Sequence, residues 1–254
     1  MSNRKQQVVA LLKSLETGDP KPAAIINSNN YTQHNLAIED GIAGFGKLVQ
    51  QLPASTKVNT VRVFEDGNFV FTHNDYDFFG PKVALDIFRF EDGKIVEHWD
   101  NLQETPAPNP SGHTMTDGQT KVTDLDQTAH NKALVNSFVD DILVNGRMEK
   151  LAAYFDGDNY IQHNPLIPDQ LSGLGKALGE WARAGITMKY DTVHTVLGEG
   201  NFVLAVSEGH LGGKHMTFYD LFRVENGKIA EHWDVIEEMP AKEAWKNNNG
   251  KFGF

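Results

Sequence analysis

The stretch Asp86-Ile87-Phe88-Arg89-Phe90-Glu91-Asp92-Gly93-Lys94-Ile95-Val96-Glu97-His98-Trp99-Asp100 decides the fold. It returns as Asp220-Leu221-Phe222-Arg223-Val224-Glu225-Asn226-Gly227-Lys228-Ile229-Ala230-Glu231-His232-Trp233-Asp234. Asp-Gly and Asn-Gly supply the two positive φ angles of a tight two-residue turn, so each copy reads as a pair of antiparallel strands. Working outward, Tyr31-Thr32-Gln33-His34-Asn35 recurs as Tyr160-Ile161-Gln162-His163-Asn164. Likewise Gly44-Phe45-Gly46-Lys47 recurs as Gly173-Leu174-Gly175-Lys176, and Gly67-Asn68-Phe69-Val70 as Gly200-Asn201-Phe202-Val203. The period is far longer than the ~20–50 residues of a solenoid unit, so it marks two duplicated domains.

Between the copies, Thr105-Pro106-Ala107-Pro108-Asn109-Pro110-Ser111-Gly112 and the polar run through Asp126 carry Pro, Gly, Ser and Thr without apolar periodicity. The expected organisation is a first domain over residues 1–105, a linker over 106–127 and a second domain over 128–254. Each copy opens with a helical pattern: Val8, Leu11, Leu12 and Leu15, closing at Gly18, and Ala133, Leu134, Phe138 and Ile142, closing at Gly146. A shorter helix follows, then a third near Ile42–Leu52 and Leu171–Ala184, then β-branched and aromatic runs at 58–64, 69–73 and 83–90. Helices followed by strands predict an α+β fold: two tandem domains, each a curved antiparallel sheet packed against N-terminal helices around a cavity.

The chain has 254 residues, is 40% hydrophobic, lacks cysteine and carries a net charge of −11 without a basic cluster. The absence of cysteine excludes disulfides, thiolate metal sites and Cys nucleophiles. Without clustered Lys and Arg, nucleic acid and anionic membrane are not expected partners. The N-terminal apolar run is too short for a signal or a span, so a cytoplasmic protein is expected. The expected partner is a small apolar or carbonyl-containing ligand. The tandem copies can form an intramolecular pseudo-dimer, and a homo-oligomer is the alternative.

Pairing evenly across the Asp92-Gly93 turn places Phe90 opposite Ile95, Phe88 opposite Glu97 and Asp86 opposite Trp99. One face then carries Asp86, Phe88, Glu97 and Trp99, with Asp220, Phe222, Glu231 and Trp233 as counterparts. On this reading Phe88, Phe222, Trp99, Trp233, Glu97 and Glu231 contact substrate. An acid among aromatics has its ionised form disfavoured by desolvation, which suits a neutral hydrogen-bond donor. Adjacent residues of the His98-Trp99-Asp100 and His232-Trp233-Asp234 triplets point to opposite faces, which argues against a metal site or a Ser-His-Asp triad, and no metal is expected. His210 and His215, flanking Gly212-Gly213, read as loop residues.

The repeated hairpin resembles the closing hairpin of SnoaL-like polyketide cyclases, in the cone-shaped nuclear transport factor 2 superfamily, and either copy matches over nearly its full length. It also resembles ketosteroid isomerase, in which an Asp on the corresponding strand donates to the substrate oxyanion; Asp86 and Asp220 match that position. The general base of that enzyme falls where this chain has His34 and His163. The resemblance implies cofactor-independent proton abstraction α to a carbonyl, leading to aldol cyclisation or isomerisation, with His34 or His163 as base and Asp86 or Asp220 as acid. The alternative is a non-catalytic binding or sensing protein of the same fold, favoured if the imidazoles of His34 and His163 lie beyond water-bridged reach of the cavity. A third arrangement makes one copy a degenerate scaffold. The copies differ at Gly41 and Gln170, and at Phe71-Thr72-His73 and Leu204-Ala205-Val206, so their cavities should differ. Replacing Asp86 and Asp220 together by Asn is expected to abolish turnover while leaving the fold intact; unchanged turnover would contradict the assignment.

Overall fold

A computed structural model describes all residues, 1–254, and divides them into two units, Met1–Thr105 with Pro240–Phe254, and Pro106–Met239. In the first unit, α1 (Asn3–Thr17) begins at Ser2, whose side chain accepts from Lys5 N, and ends at Gly18 with φ 70°. Its Val8, Leu11 and Leu12 are buried and join Ile26, Val70, Phe88, Phe90 and Ile95 in one core. A short 3₁₀ turn (Lys21–Ile25), strand β1 (Thr32–Gln33) and α2 (Gly41–Gln51) follow. Strands β2 (Lys57–Asp66), β3 (Phe69–Asp77), β4 (Pro81–Glu91) and β5 (Lys94–Glu104) complete a sheet of order β1-β5-β4-β3-β2. β1 is an unexpected element: the residues before His34 pair in parallel with Glu97 and His98 on β5.

The second unit repeats this plan. α3 (Thr128–Phe138) runs into a π-helical turn (Val139–Val144), then a 3₁₀ segment (Met148–Tyr154), β6 (Ile161–Gln162) and α4 (Leu171–Arg183). β7 (Met188–Glu199), β8 (Phe202–Leu211), β9 (Lys214–Glu225) and β10 (Lys228–Glu238) form the order β6-β10-β9-β8-β7. Each unit is therefore an α+β domain built on a five-stranded sheet. No helix is long and apolar enough to cross a membrane. His210 and His215 lie on paired strand ends of β8 and β9, not in a loop.

Two features depart from the sequence reading. The stretch 106–127 does not act as a free spacer but packs within the second unit, while residues 240–254, expected to belong to the second domain, pack within the first. Asn109, only 5% exposed, shows the difference: its Nδ2 donates to the carbonyls of Gln162 and Ile167. A Pro- and Gly-rich composition identifies irregular backbone, but says nothing of which carbonyls that backbone satisfies.

The second departure is register. The tight turn forms as expected, with Asp92 and Gly93 at φ 48° and 75° and Asn226 and Gly227 at 51° and 71°. Beyond it Phe90 pairs with Ile95 but Arg89 pairs with Glu97, leaving Val96 as an extra residue. Val224 pairs with Ile229 and Arg223 with Glu231, leaving Ala230 in the same role. Each is a β-bulge, and it shifts every later residue of the strand to the opposite face. Asp86 consequently faces Asp100 and Phe88 faces His98, with Asp220 opposite Asp234 and Phe222 opposite His232.

Gln170 holds φ 73° and ψ 149° immediately before α4, where the first copy places Gly41 at φ 71°. That region of backbone space suits glycine and costs other residues about 1–3 kcal/mol. Gln170→Gly is expected to stabilise the second unit by about 1 kcal/mol, read as a higher urea midpoint at unchanged slope; a lower midpoint would show that the Gln170 side chain outweighs its backbone strain.

Candidate functional site

The bulge at Val96 decides which side chains of β5 meet the cavity. A cavity of ≈ 290 Å³ opens between the sheet and the helices of the first unit. Its lining is mainly apolar, with Leu11, Tyr31, Phe45 and Phe88 among it, and the polar group Gln33, Asp86, His98 and Asp100 gathers at one place. Asp86, His98 and Asp100 are each less than a tenth exposed, and their ligand-capable atoms lie within 4.8 Å of one another. Two carboxylates, Asp86 and Asp100, stand opposite one another across adjacent strands. Such a pair in an apolar cavity marks a candidate site.

Each partner can be assigned. Asp86 Oδ2 accepts from Asn74 Nδ2 and from the Tyr76 hydroxyl, both at 2.8 Å, and Asp86 Oδ1 meets His98 Nε2 at 3.0 Å. The other ring nitrogen of His98 lies 3.0 Å from Gln33 Oε1. Burial first, then the charge of Asp86 and its hydrogen bond, pushes the Tyr76 phenol well above its usual range, so it remains a proton donor at neutral pH. Asp100 Oδ2 accepts from Asn35 Nδ2 at 2.8 Å. Asp100 Oδ1 is buried without a hydrogen bond, and the nearest cation is Lys251 Nζ at 3.7 Å. A buried carboxylate oxygen lacking a donor is costly and calls for a partner.

The second unit keeps the three side chains but not the space. Asp220 Oδ1 meets His232 Nε2 at 3.0 Å, Asp234 Oδ2 accepts from Asn164 at 2.7 Å, and Asp234 Oδ1 is again without a hydrogen bond. The cavity measures ≈ 60 Å³, with Trp181, Met188 and Tyr190 crowding its walls. Here the phenol comes from another strand. Tyr190 on β7 donates to Asp220 at 3.2 Å, opposite Gly209, which occupies the position held by Tyr76 in the first copy. A Cβ at Gly209 would fall 2.0 Å from the Lys189 carbonyl, so the crossing needs glycine.

The predicted site residues divide by face. Asp86, Asp220, Phe88 and Phe222 line the cavities; His34, His163, Glu97, Glu231, Trp99 and Trp233 do not. The bulge places these Glu and Trp residues on the opposite face of β5 and β10, correcting the evenly paired expectation. There His34 stacks on Trp99 with ring centres 4.6 Å apart and meets Glu97 Oε1 at 2.9 Å, while Arg89 Nε donates to Glu97 Oε2 at 2.6 Å. Burial opposes the charge of Glu97, but the hydrogen bonds from His34 and Arg89 outweigh it and hold its carboxyl below the usual range. His163, Trp233, Glu231 and Arg223 repeat the arrangement.

Missing from the sequence reading were His98, Asp100, His232 and Asp234. Even pairing across the turn puts His98 and Asp100 together on the face away from Asp86, where they read as paired surface charges; the bulge turns that pair toward the cavity. The three ligand-capable groups of each cluster could hold a cation, but His98 already spends both ring nitrogens on Gln33 and Asp86.

Residues 135–232, spanning most of the second unit, match the family model of the SnoaL-like domain. The second unit is a SnoaL-like domain. The first unit shares its strand order and its closing-hairpin motif. Similar solved structures include TsrD from Streptomyces laurentii, at 18% identity and TM-score 0.35, covering 41% of this chain and 91% of that one. IdmH from Streptomyces antibioticus, described as a candidate polyketide cyclase, aligns at 15% identity and TM-score 0.36, covering 40% and 93%. An LEH-like epoxide hydrolase from M. tuberculosis aligns at 18% identity and TM-score 0.34, covering 39% and 81%. Among curated proteins, none matches this chain at a significant level.

In the SnoaL-like unit, burial disfavours the His232 cation, yet the hydrogen bond to Asp220 and the charges of Asp234 and Asp220 raise it above 6.5. A group raised on folding contributes its stability in full below that ordinary value and loses it as pH climbs through the folded value. His232 is therefore expected to titrate above 6.5 by imidazole ¹⁵N NMR, and in Asp220→Asn to fall to or below it; an unchanged titration would remove Asp220 as the cause.

Proposed function

We propose that the first unit binds a small, largely apolar carbonyl compound in its ≈ 290 Å³ cavity and moves a proton α to the carbonyl without a cofactor, with Asp100 as the base. The observation that carries this reading is Asp100 Oδ1, a buried carboxylate oxygen of a cavity-lining residue that makes no hydrogen bond. Asp86 is already met by Asn74, Tyr76 and His98, so its lone pairs are engaged and it serves as an anchor. In this reading Asp100 Oδ1 takes the α-proton. Tyr76 and His98 both line the cavity, and turning the proton that either directs at Asp86 toward the developing enolate oxygen offsets the new charge. The enolate carbon then either takes a proton back at another position, which is isomerisation, or attacks a second carbonyl of the same molecule, which is aldol closure.

The base expected at His34 and His163 moves to the cavity side of the strand, because those imidazoles stack beneath Trp99 and Trp233 on the other face. By the criterion of reach alone, that placement would favour simple binding; Asp100 and His98 satisfy the criterion in their stead. The volume lies at the lower edge of small-molecule pockets, which run about 300–1,000 Å³. The second cavity, at ≈ 60 Å³, has room for a few waters, each filling about 30 Å³. This contraction favours a second reading for that unit alone: it is a structural copy that does not turn over.

Exchange of the α-protons of a small cyclic ketone in D₂O tests the reading. The wild-type protein is expected to accelerate exchange, Asp100→Asn to lose about 10²-fold or more, and Asp234→Asn to retain the full rate. Exchange that survives in Asp100→Asn would remove Asp100 as the base. A ketone that binds without exchanging would leave a binding protein.

A further inference from the structure

On the face of β5 away from the cavity, the first unit carries a groove filled by residues 246–254. Asn247 is 6% exposed, and its Nδ2 donates to the carbonyls of Asn35 and Ile38 at 2.8 and 2.9 Å. Asn249 Nδ2 donates to the Gln33 carbonyl and to Asp40 Oδ1, and Asn249 N donates to Asn247 Oδ1. His34 Nδ1 donates to the Gly250 carbonyl at 2.7 Å, and the Phe254 ring stacks on Trp99 at 4.6 Å and 8°.

The second unit holds residues 109–118 in the same manner. Asn109 Nδ2 donates to the carbonyls of Gln162 and Ile167, where Ile167 is the counterpart of Ile38. Ser111 N donates to Asn109 Oδ1, and Ser111 Oγ accepts from Asp169 N, Asp169 being the counterpart of Asp40. His163 Nδ1 donates to the Thr114 carbonyl at 2.8 Å. Gly118 lies over Trp233, where a Cβ would come within 3.0 Å of the ring. Asn109-Pro110-Ser111-Gly112 and Asn247-Asn248-Asn249-Gly250 thus share Asn-x-x-Gly; in both the leading Asn donates to the Ile38 or Ile167 carbonyl and accepts from the N–H two residues on, while the Gln162 carbonyl is met by Asn109 and its counterpart Gln33 by Asn249. A buried Asn amide that satisfies two backbone carbonyls is a specific recognition element, because any apolar replacement leaves both unpaired.

We propose that the outer face of β5, with the loop from Gln33 to Asp40, is a binding site for an Asn-x-x-Gly peptide. Its resident ligand is the C-terminal segment Lys246–Phe254. The contacts include these hydrogen bonds, the ring stack and the Lys251–Asp100 ion pair, while residues 240–244 leading into the segment are exposed. The segment borders the cavity, since Lys246 is part of its lining and Lys251 Nζ lies 3.7 Å from Asp100 Oδ1, but the hydrogen bonds of Asn247 and Asn249 do not depend on the proton transfer proposed above.

The test uses the full chain with a protease site placed within Pro240–Ala244, folded intact and then cleaved. The released C-terminal fragment is expected to remain bound through gel filtration, and to exchange with an excess of synthetic Glu243–Phe254 peptide labelled at its N-terminus. The uncleaved chain should take up none of that peptide, and the peptide carrying Asn247→Ala should bind at least about tenfold more weakly. A fragment that washes away after cleavage, whatever state it leaves behind, overturns the proposal. Equal binding of the Asn247→Ala peptide overturns it as well.

Discussion

One extra residue in the last strand of each sheet is the constraint on which the account depends. Val96 and Ala230 have no partner on the neighbouring strand. Because strand side chains alternate, that single insertion turns His98 and Asp100 toward the cavity, and Glu97 and Trp99 away from it. The hairpin thereby equips both of its faces. The cavity face carries an imidazole between two carboxylates; the outer face carries a His-Glu-Arg cluster under a tryptophan, and this receives a peptide segment.

Much of the fold was legible because it rests on local rules. Asp92-Gly93 and Asn226-Gly227 name their turns, α2 and α4 lie within a residue or so of their expected bounds, and the repeat gives the duplication directly. The bulge was not legible, since a run such as Ile95-Val96-Glu97 contains nothing that separates a regular ladder from a bulged one. The bulge is matched by tertiary packing, with Ile95 and Trp99 buried on opposite faces of the strand. The placement of 106–127 and 240–254 escaped the sequence for the same reason: Asn109 and Asn247 are ordinary loop residues until the carbonyls they satisfy are known.

The two copies show how a duplicated domain diverges around a retained cluster. Asp, His and Asp persist in both, along with the Asn donor to the second carboxylate. The phenol that meets the first carboxylate has changed strand, from Tyr76 on β3 to Tyr190 on β7, with Gly209 making room. Trp181 and Met188 are among the residues lining the small cavity of the second unit. The first unit keeps an open cavity, and its Asp100 alone of the two lone carboxylates has a buried lysine, Lys251, within 3.7 Å.

The central claim is that the functional face of the hairpin is the one carrying His98 and Asp100. Titrating a small apolar ketone into protein labelled with ¹³C at Asp and ¹⁵N at His, and following each resonance by NMR, tests it most directly. The account predicts that His98, Asp86 and Asp100 shift with the ligand while His34, His163 and the cluster of the second unit stay in place. Shifts at His34 with His98 and Asp100 unmoved would contradict it.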